Sequence, residues 1–257
     1  MKTIILAGGF GTRLSEETII KPKPMVEIGG MPILWHIMKT YSSNNYNDFI
    51  VALGYKGSFI KNYFVNYMLH KSDISINLKS GNINYQRKIA EDWNIDLIET
   101  GDNSMTGGRL FRLKNKFKKG DTFMLTYGDG VCSVDINELV KFHKSHGKIA
   151  TMTAVRPNAR FGSISMNNQG LISEFKEKPQ VGEGWINGGY FIFNYEIFDY
   201  LTDESTILER EPLENLALNN QLMAFKHSGF WHCMDTIRDR DSLNEIWNQG
   251  SAPWKKW

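Results

Sequence analysis

A short apolar segment that runs directly into a glycine-rich turn constrains the fold of this chain more than any other feature. Thr3 to Ala7 has the composition of a buried strand, and the segment from Gly8 to Leu14 (GGFGTRL) follows without a linker. Glycines let a main chain approach a polyphosphate closely, because they lack a Cβ and adopt positive φ at little cost. Backbone N–H groups, with positive charge from Arg13 and Lys23, are then suited to bind an anion. The segment predicts a phosphate-binding loop after a first strand.

Two well-known glycine loops do not match this turn. A P-loop needs Gly-Lys-Ser or Gly-Lys-Thr, which is missing here, and the dinucleotide fingerprint needs a third glycine where Leu14 stands. The second predicted strand also ends in Gly54-Tyr55, with no carboxylate for a ribose. NAD binding is therefore disfavoured. A tight strand-to-helix connection is the simpler alternative for the glycines alone, and Arg13 and Lys23 favour phosphate binding over it.

Composition excludes several function classes. The chain has 257 residues, 41% hydrophobic and 23% charged, which is ordinary for a globular protein. A net charge of +2 gives no global signal for nucleic acid, so phosphate recognition must be local. No apolar run reaches membrane-spanning length, and the first strand is too short for a signal peptide. We expect a cytoplasmic protein without a nucleic-acid or membrane partner, in which Cys132 and Cys233 are free thiols, although a disulfide between them stays open.

Strand and helix patterns alternate through the first half of the chain. Strands are predicted at 49–53 and 122–127, and helices from Pro32, around Phe59 to Met68, over 107–117 and over 135–146. This alternation predicts an α/β fold with a mainly parallel sheet and helices on both faces. The second half is more irregular and β-rich, with a hairpin expected at 162–176. We expect one domain, because no linker, repeat or low-complexity tract interrupts the chain.

The aromatic-rich end of the chain, Ala252 to Trp257, leaves two possibilities open. Its tryptophans either form an oligomer contact or fold back on the core.

Two aspartates are candidate ligands for a divalent cation. Asp129 lies between Gly128 and Gly130, just past the predicted strand 122–127, and the phosphate loop leaves its own strand at the same edge of the sheet. Asp235 precedes a predicted helix. Mg²⁺ typically takes one or two carboxylates together with substrate phosphates. An Asx turn at Asp129 and an N-cap at Asp235 are the simpler alternatives.

Two further segments have the polar groups that a sugar phosphate needs. Glu177 could accept hydrogen bonds from sugar hydroxyls and Lys178 could pair with a phosphate, although a charged hairpin rim explains both equally well. Asn187 and Gly188 begin a strand whose glycines would let a flat ligand lie against the backbone, and a β-bulge is the alternative. No motif for covalent catalysis stands out in the sequence, so the candidate residues favour displacement at phosphorus.

Taken together, these residues resemble the sugar-1-phosphate nucleotidylyltransferases. The resemblance rests on five ordered motifs: the Leu6–Leu14 loop, Lys23 before proline and methionine, Gly128-Asp129, Glu177-Lys178-Pro179 and the late Asp235. It covers essentially the whole chain. It implies a single Rossmann-like nucleotidyltransferase domain over 1–257, with a mixed, mainly parallel sheet and a small β-rich sugar-binding portion. Residues 1–130 would be mainly nucleotide-binding, and residues 131–257 would contribute the sugar phosphate site and oligomer contacts.

Within that family the stretch from Gly101 to Leu110 resembles the subgroup that joins CTP and α-D-glucose 1-phosphate into CDP-glucose and pyrophosphate. The resemblance implies that Arg13, Lys23, Asp129 and Asp235 are catalytic, with Mg²⁺ on the two aspartates. The implied nucleotide-binding residues are Leu6, Ala7, Gly8, Gly9, Gly11, Thr12, Arg13, Lys23, Ser104, Arg109 and Gly128. The implied sugar-phosphate-binding residues are Glu177, Lys178, Asn187 and Gly188.

The resemblance also implies a symmetric homo-oligomer, such as a hexamer, and a role in making sugars for surface polysaccharide. Three other functions stay open: the same reaction with UTP or dTTP, a nucleotide-sugar-binding relative without catalysis, and a glycosyltransferase of related fold. The last is disfavoured because Gly128-Asp129-Gly130 lacks the second aspartate of an Asp-x-Asp motif.

Overall fold

The computed structural model describes the backbone of residues 1–87, 90–157, 163–166, 172–176 and 184–257, without the side chains of residues 13, 15, 16, 87, 163–166 and 172–176. The described strands are β1 (Thr3–Leu6), β2 (Glu27–Ile28), β3 (Met31–Pro32), β4 (Asp48–Leu53), β5 (Asp73–Asn77), β6 (Asn82–Arg87), β7 (Asn94–Glu99), β8 (Thr122–Tyr127), β9 (Gly130–Cys132), β10 (Ala150–Val155), β11 (Ser163–Met166), β12 (Ile172–Lys176), β13 (Ile186–Asn194), β14 (Leu222–His227) and β15 (Trp231–Cys233). The described α-helices are α1 (Ser15–Thr18), α2 (Ile33–Ser42), α3 (Gly57–Val65), α4 (Tyr67–Lys71), α5 (Thr106–Arg112), α6 (Ile136–His146), α7 (Glu211–Leu218) and α8 (Ile237–Asn248). Short 3-10 helices cover Thr12–Leu14, Lys23–Met25, Lys114–Lys116 and Tyr195–Tyr200.

A mixed sheet of seven strands, in the order β14-β10-β13-β8-β1-β4-β7, forms the centre of the molecule. Strands β8, β1, β4 and β7 run parallel to one another, and β10 runs parallel to β14. Strand β13 is antiparallel to both of its neighbours. The predicted α/β fold with a mainly parallel sheet is confirmed.

The sheet is covered on both faces because its strands are apolar on both sides. In β1, Ile5 packs into a core with α2, α6 and α8, while Ile4 and Leu6 pack into a second core with α5 and α7. Neighbouring side chains of a strand point to opposite faces, so an unbroken apolar run of this kind requires a cover on each face. This explains why the first strand is apolar at every position.

The candidate site lies at one edge of this sheet because of strand direction. Leu6 is in register with Ala52 of β4 and with Tyr127 of β8, so three parallel strands end at the same level. Strand β13 runs the other way, with Tyr190 opposite Thr126, and therefore begins at that edge. Ligands of open α/β sheets bind at the carboxyl ends of the strands.

Short elements depart from the sequence prediction. The helix predicted from Phe59 to Met68 is two helices, α3 and α4, and the helix predicted over 107–117 ends at Arg112 and continues as a 3-10 turn. The β2–β3 hairpin and the β9–β15 pair were not predicted. The expectation that both cysteines are free thiols is confirmed. Among the described helices, none has both the length and the apolarity that crossing a bilayer requires.

The aromatic end of the chain folds back on the core, as one of the two possibilities for this segment proposes. Trp254 is 1% exposed, and its indole N–H faces Nδ1 of His36 at 3.4 Å. His36 is itself fully buried, and its Nε2 lies 2.8 Å from the carbonyl oxygen of Ile28. An imidazole with its proton on Nε2 satisfies both contacts, so the fold selects the neutral ring.

Burial of His36 predicts that acid weakens the fold. Burial lowers the pKa of His36 from 6.5 to about 4, so the unfolded chain takes up the proton first as the pH falls. The contribution of the neutral ring to the free energy of unfolding is therefore fully present above pH 6.5 and is lost as the pH falls from 6.5 to about 4. The total loss over this interval is about 3 kcal/mol. Urea unfolding across this interval measures the loss.

A His36→Gln variant isolates this contribution. It should lose less stability than the wild-type protein over the same pH interval, although it starts from a lower value. His70→Gln, at an exposed position, is the control and should follow the wild type. Equal acid sensitivity of the wild type and His36→Gln would show that His36 is not the group responsible.

Candidate active site

A pocket of about 370 Å³ lies at the carboxyl ends of β1 and β8. Its floor is formed by the ends of these strands, and its walls by the glycine loop and by the segment that leads into α5. The lining residues are Leu6, Ala7, Gly8, Gly9, Phe10, Gly11, Thr12, Lys23, Pro24, Asp102, Asn103, Ser104, Met105, Thr106, Arg109, Tyr127, Gly128, Asp129, Ile207 and Glu209. The sequence-predicted phosphate loop and the segment around Ser104 therefore share one cavity.

The glycine loop offers main-chain donors to this pocket. Among the residues that the structure describes, none accepts a hydrogen bond from the N–H groups of Gly9, Phe10 or Gly11. Gly11 has a φ of 65°, which L side chains rarely adopt, and Thr18 fixes the turn by donating its hydroxyl to the Gly11 carbonyl at 3.1 Å. Such a turn can bind an oxyanion through its backbone.

A buried arginine supports the loop from below. The guanidinium of Arg109 donates to the carbonyl oxygens of Gly8 at 2.8 Å, Gly101 at 2.7 Å and Leu53 at 3.1 Å, and to the Thr100 hydroxyl at 2.9 Å. A Cβ on Gly8 would lie 2.2 Å from this guanidinium, so glycine is required there. Arg109 thus joins the ends of β1, β4 and β7 into one surface.

A lysine lies between two carboxylates on the other side of the pocket. The Nζ of Lys23 is 2.6 Å from Oδ2 of Asp129 and 2.6 Å from Oδ1 of Asp235. Burial alone would lower the pKa of Lys23, but attraction to Asp129 and the hydrogen bonds to both carboxylates outweigh it and raise that pKa. Lys23 is therefore a buried ammonium ion at neutral pH.

Local structure fixes the backbone of this lysine. Lys23 begins a 3-10 turn between Pro22 and Pro24, which is closed by a hydrogen bond of 2.8 Å from Met25 N to the Pro22 carbonyl. Proline fixes φ on both sides of the lysine. The side chain can therefore move while its backbone stays in place.

Asp235 reaches the site through a strand pair that sequence analysis missed. Strand β15 pairs antiparallel with β9, which places Cys233 opposite Gly130, and Met234 N donates to the Asp129 carbonyl at 2.8 Å. The two aspartates, far apart in sequence, become neighbours because of this short ladder. Asp235 also stands directly before the capping box of α8, formed by Thr236 and Asp239, so the predicted N-cap role belongs to Thr236.

These carboxylates can hold a divalent cation. One oxygen of Asp129, one oxygen of Asp235 and the sulfur of Cys233 lie within 4.8 Å of one another. Burial, followed by the charge of Asp129, raises the pKa of Cys233, so its thiol stays protonated. The donors available at neutral pH are therefore two carboxylates, which is the ligand set that Mg²⁺ prefers.

A second polar network crosses the pocket and was missed from the sequence. The Tyr127 hydroxyl donates to Glu209, the Thr106 hydroxyl donates to the other oxygen of Glu209 at 2.6 Å, and Asn187 donates to the Tyr127 oxygen at 3.0 Å. Burial and the charge of Glu209 raise the pKa of Tyr127. No motif around Glu209 signals this role, because its partners, Thr106 and Tyr127, come from two other elements.

The structure brings most of the sequence-predicted site residues together. Every predicted nucleotide-binding residue lines the pocket except Arg13, whose side chain lies outside the described residues although its backbone belongs to the 3-10 turn Thr12–Leu14. Glu177 and Lys178 also lie outside the described residues. Asn187 reaches the pocket wall through Tyr127, and Gly188 lies beside it, with its carbonyl bound by Trp231 at 2.7 Å.

Two of the predicted nucleotide-binding side chains, those of Ser104 and Arg109, form hydrogen bonds within the protein. The Ser104 hydroxyl donates to the Thr100 carbonyl, and the guanidinium of Arg109 is bound to main-chain oxygens as described above. Their contacts to a nucleotide stay predictions. Glycine is required at position 128 for a steric reason, because a Cβ there would lie 2.7 Å from the Leu6 carbonyl oxygen.

Comparison with known proteins shows a family relationship over nearly the whole chain. The sequence model of the nucleotidyl transferase family matches residues 2–236. The chain is 52% identical over 257 residues to a glucose-1-phosphate cytidylyltransferase from Salmonella typhimurium, with 100% of both chains covered. It is 41% identical over 258 residues to a probable glucose-1-phosphate cytidylyltransferase from Bacillus subtilis, again with 100% of both chains covered.

Solved structures share the fold at lower identity. HddC from Yersinia pseudotuberculosis superimposes with a TM-score of 0.65 at 22% identity, covering 96% of this chain and 99% of that chain. A putative glucose-1-phosphate thymidylyltransferase from Bacillus anthracis gives a TM-score of 0.64 at 21% identity, covering 98% of this chain and 95% of that chain. These likenesses support the α/β architecture.

The contacts of Arg109 predict a large loss of stability when it is shortened. Arg109→Met removes the donors of several buried carbonyl oxygens, and hydrogen bonds to charged groups contribute about 1.5–3 kcal/mol each. We expect a loss of about 3 kcal/mol or more in the free energy of unfolding. Arg112→Met, on the same helix, is the control, because its ion pair with Glu204 is exposed and should cost less than about 1 kcal/mol. Similar losses for the two variants would contradict this role of Arg109.

Proposed function

The chain belongs to the nucleotidyl transferase family, and we propose that it transfers a cytidylyl group from CTP to α-D-glucose 1-phosphate, giving CDP-glucose and pyrophosphate. The choice of substrates is supported by the 52% identity over the whole chain to a glucose-1-phosphate cytidylyltransferase. The observation that carries the chemistry is the meeting of Lys23, Asp129 and Asp235 beside the glycine loop. In the reaction a phosphate oxygen of the sugar phosphate bonds to the α-phosphorus of CTP, and the bond from that phosphorus to the pyrophosphate oxygen breaks.

The chain supplies position and charge to this reaction. The backbone donors of Gly9 to Gly11 and the side chain of Arg13 bind the triphosphate, which favours departure of pyrophosphate. Lys23 offers its ammonium to the phosphate oxygens around the reacting phosphorus. Leu6, Ala7 and the segment around Ser104 hold the nucleoside. In phosphoryl transfer, catalysis is mainly positioning and electrostatic stabilisation, which fits a pocket of this composition.

Nucleotidyltransferases of this family use a divalent metal. We propose Mg²⁺ here, with Asp129 and Asp235 as its protein ligands, because the two carboxylates provide hard oxygen donors next to the phosphate loop. When bound, Mg²⁺ supplies positive charge that neutralises the phosphates brought together by the reaction. The protein holds the two carboxylates close together through the β9–β15 pair and the start of α8.

The acceptor sugar phosphate is assigned to the side of the pocket where β13 begins. Asn187 and Gly188 lie there, and Glu177 and Lys178 complete the proposed set. Glu177 would bind sugar hydroxyls and Lys178 the sugar phosphate. We accordingly treat residues 1–130 as the mainly nucleotide-binding portion of one domain, and residues 131–257 as the portion that adds the acceptor site and Asp235.

A homo-oligomer in the cytoplasm is part of the same proposal. The hairpin of β5 and β6 exposes apolar side chains on an isolated pair of strands, with Leu78 91%, Ile76 51% and Ile83 50% exposed. Isolated two-stranded hairpins are marginally stable in water, so contact with another copy would stabilise this one. Light scattering after gel filtration measures the number of subunits, for which a hexamer is expected and a monomer would contradict the proposal.

A nucleotide competition assay tests the proposed reaction. Purified protein with Mg²⁺ and glucose 1-phosphate should release pyrophosphate with CTP at a kcat/KM about 10²-fold or more above that with UTP or dTTP, because positions 3 and 4 of cytosine carry the opposite donor and acceptor to those of uracil and thymine. Omission of the sugar phosphate, or chelation of the metal, should stop release. Preference for UTP or dTTP would contradict the base assignment, and no release with any nucleotide would indicate a binding protein.

Substitution of the aspartates tests the catalytic centre separately. Asp129→Asn and Asp235→Asn should each lower kcat on the order of 10²-fold or more, since each removes a charged ligand from the proposed Mg²⁺, whose charge would neutralise the reacting phosphates. Asp96→Asn is the control: its carboxylate forms an exposed ion pair with Lys2 at 3.2 Å, remote from the pocket lining. Near-normal turnover of Asp129→Asn or Asp235→Asn would remove that aspartate from the mechanism.

A further inference from the structure

The ammonium of Lys23 occupies the space between the two proposed metal ligands. It lies 2.6 Å from an oxygen of Asp129 and 2.6 Å from an oxygen of Asp235, and its side chain is 9% exposed. We propose that Lys23 holds the place of the divalent cation in the substrate-free protein, and that it leaves this place for the nucleotide phosphates when metal and nucleotide bind together. This inference rests on the metal site assigned under the proposed function.

Charge and space both argue for exchange rather than coexistence. The ligand atoms of the two aspartates are at most 4.8 Å apart, so a cation bound to both carboxylates would have to lie in the gap that Nζ now fills. The metal and the ammonium are both positive and would repel each other strongly if they shared this gap in a partly buried site. The lysine and the metal therefore compete for one pair of carboxylates, and each neutralises them when the other is absent.

The surroundings of Lys23 allow this movement. Its backbone is held in the 3-10 turn Lys23–Met25, while its side chain has four carbons and rotates freely once the ion pairs are released. The pocket that Lys23 lines also contains the glycine loop, where phosphates would bind. Phosphate oxygens can replace the two carboxylates as partners of the ammonium, so its charge stays paired when it moves.

Exchange of Lys23 for the metal would couple metal binding to nucleotide binding, which a fixed lysine would not do. If the ammonium must leave before the metal can enter, metal alone binds weakly, and nucleotide strengthens metal binding by giving the lysine a new partner. The coupling works equally in the other direction, because linkage between two binding events is reciprocal. A lysine that only tethers the two aspartates, and never moves, would instead help metal binding by keeping the ligands in place.

Manganese binding without nucleotide distinguishes these cases. Mn²⁺ is titrated into the full-length protein, with free Mn²⁺ measured by electron paramagnetic resonance. Lys23→Met should bind Mn²⁺ about tenfold or more tightly than the wild type, because a like charge is removed from the cation's place. Lys21→Met is the matched control: this lysine, two residues away, pairs with Glu27 at 3.3 Å, and its variant should bind as the wild type does. Unchanged or weaker binding by Lys23→Met would overturn the inference.

Two additions keep the test decisive. If Lys23→Met is poorly folded, Lys23→Gln is titrated instead, and the Mn²⁺-induced rise in its thermal midpoint should exceed that of the wild type. Asp235→Asn in the Lys23→Met background should abolish the tight binding. Tight binding that survives this change would overturn both the metal site and the exchange, whereas Asp235-dependent binding that is equally strong with and without Lys23 would overturn the exchange alone.

Discussion

The ion pairs from Lys23 to Asp129 and Asp235 are the interaction on which the rest of the site depends. They join a turn near the start of the chain, the end of a central strand and the entrance of the last long helix. Each of the three groups would be costly to bury alone, and a buried pair that loses one partner costs several kcal/mol. The three elements are therefore held together by the charges that the chemistry uses, so local stability and function are coupled at this point.

Two buried basic side chains, Arg109 and Lys23, have different roles at the pocket. Arg109 donates to main-chain oxygens and fixes the loops, with a planar group that suits several carbonyls at once. Lys23 makes two point-charge contacts through a flexible side chain, which can be remade with phosphate. The residue type fits the task in each case: a rigid fork where the backbone must stay in place, and a mobile ammonium where a charge has to be transferred between partners.

The sequence predicted much of the fold and those parts of the site that are local in the chain. The apolar β1, the glycine turn after it and Asp129 after β8 all come from signals within a few residues, and parallel strands place their ends together. Asp235 was predicted as a metal ligand, but no local signal in the sequence shows how it comes close to Asp129. Its approach to Asp129 depends on the three-residue pair of β9 and β15, which is too short to leave a periodic pattern.

Two other features show why the remainder was not predictable. Glu209 has no motif, since its partners Thr106 and Tyr127 come from distant elements. Arg109 was predicted to contact the nucleotide, and its engagement with backbone oxygens could not be read from residue types, because carbonyl groups are present at every position. Long-range contacts of this kind are decided by the assembled sheet and not by local sequence.

A crystal structure with CDP-glucose and Mn²⁺ would show whether metal and lysine exchange at the two aspartates, because the anomalous signal of manganese locates the metal independently of the protein atoms. We expect manganese bound to both Asp129 and Asp235, with Nζ of Lys23 moved onto a phosphate oxygen of the nucleotide in the same pocket. Nucleotide bound elsewhere, or Lys23 still paired with both aspartates while the metal lies at another position, would contradict it.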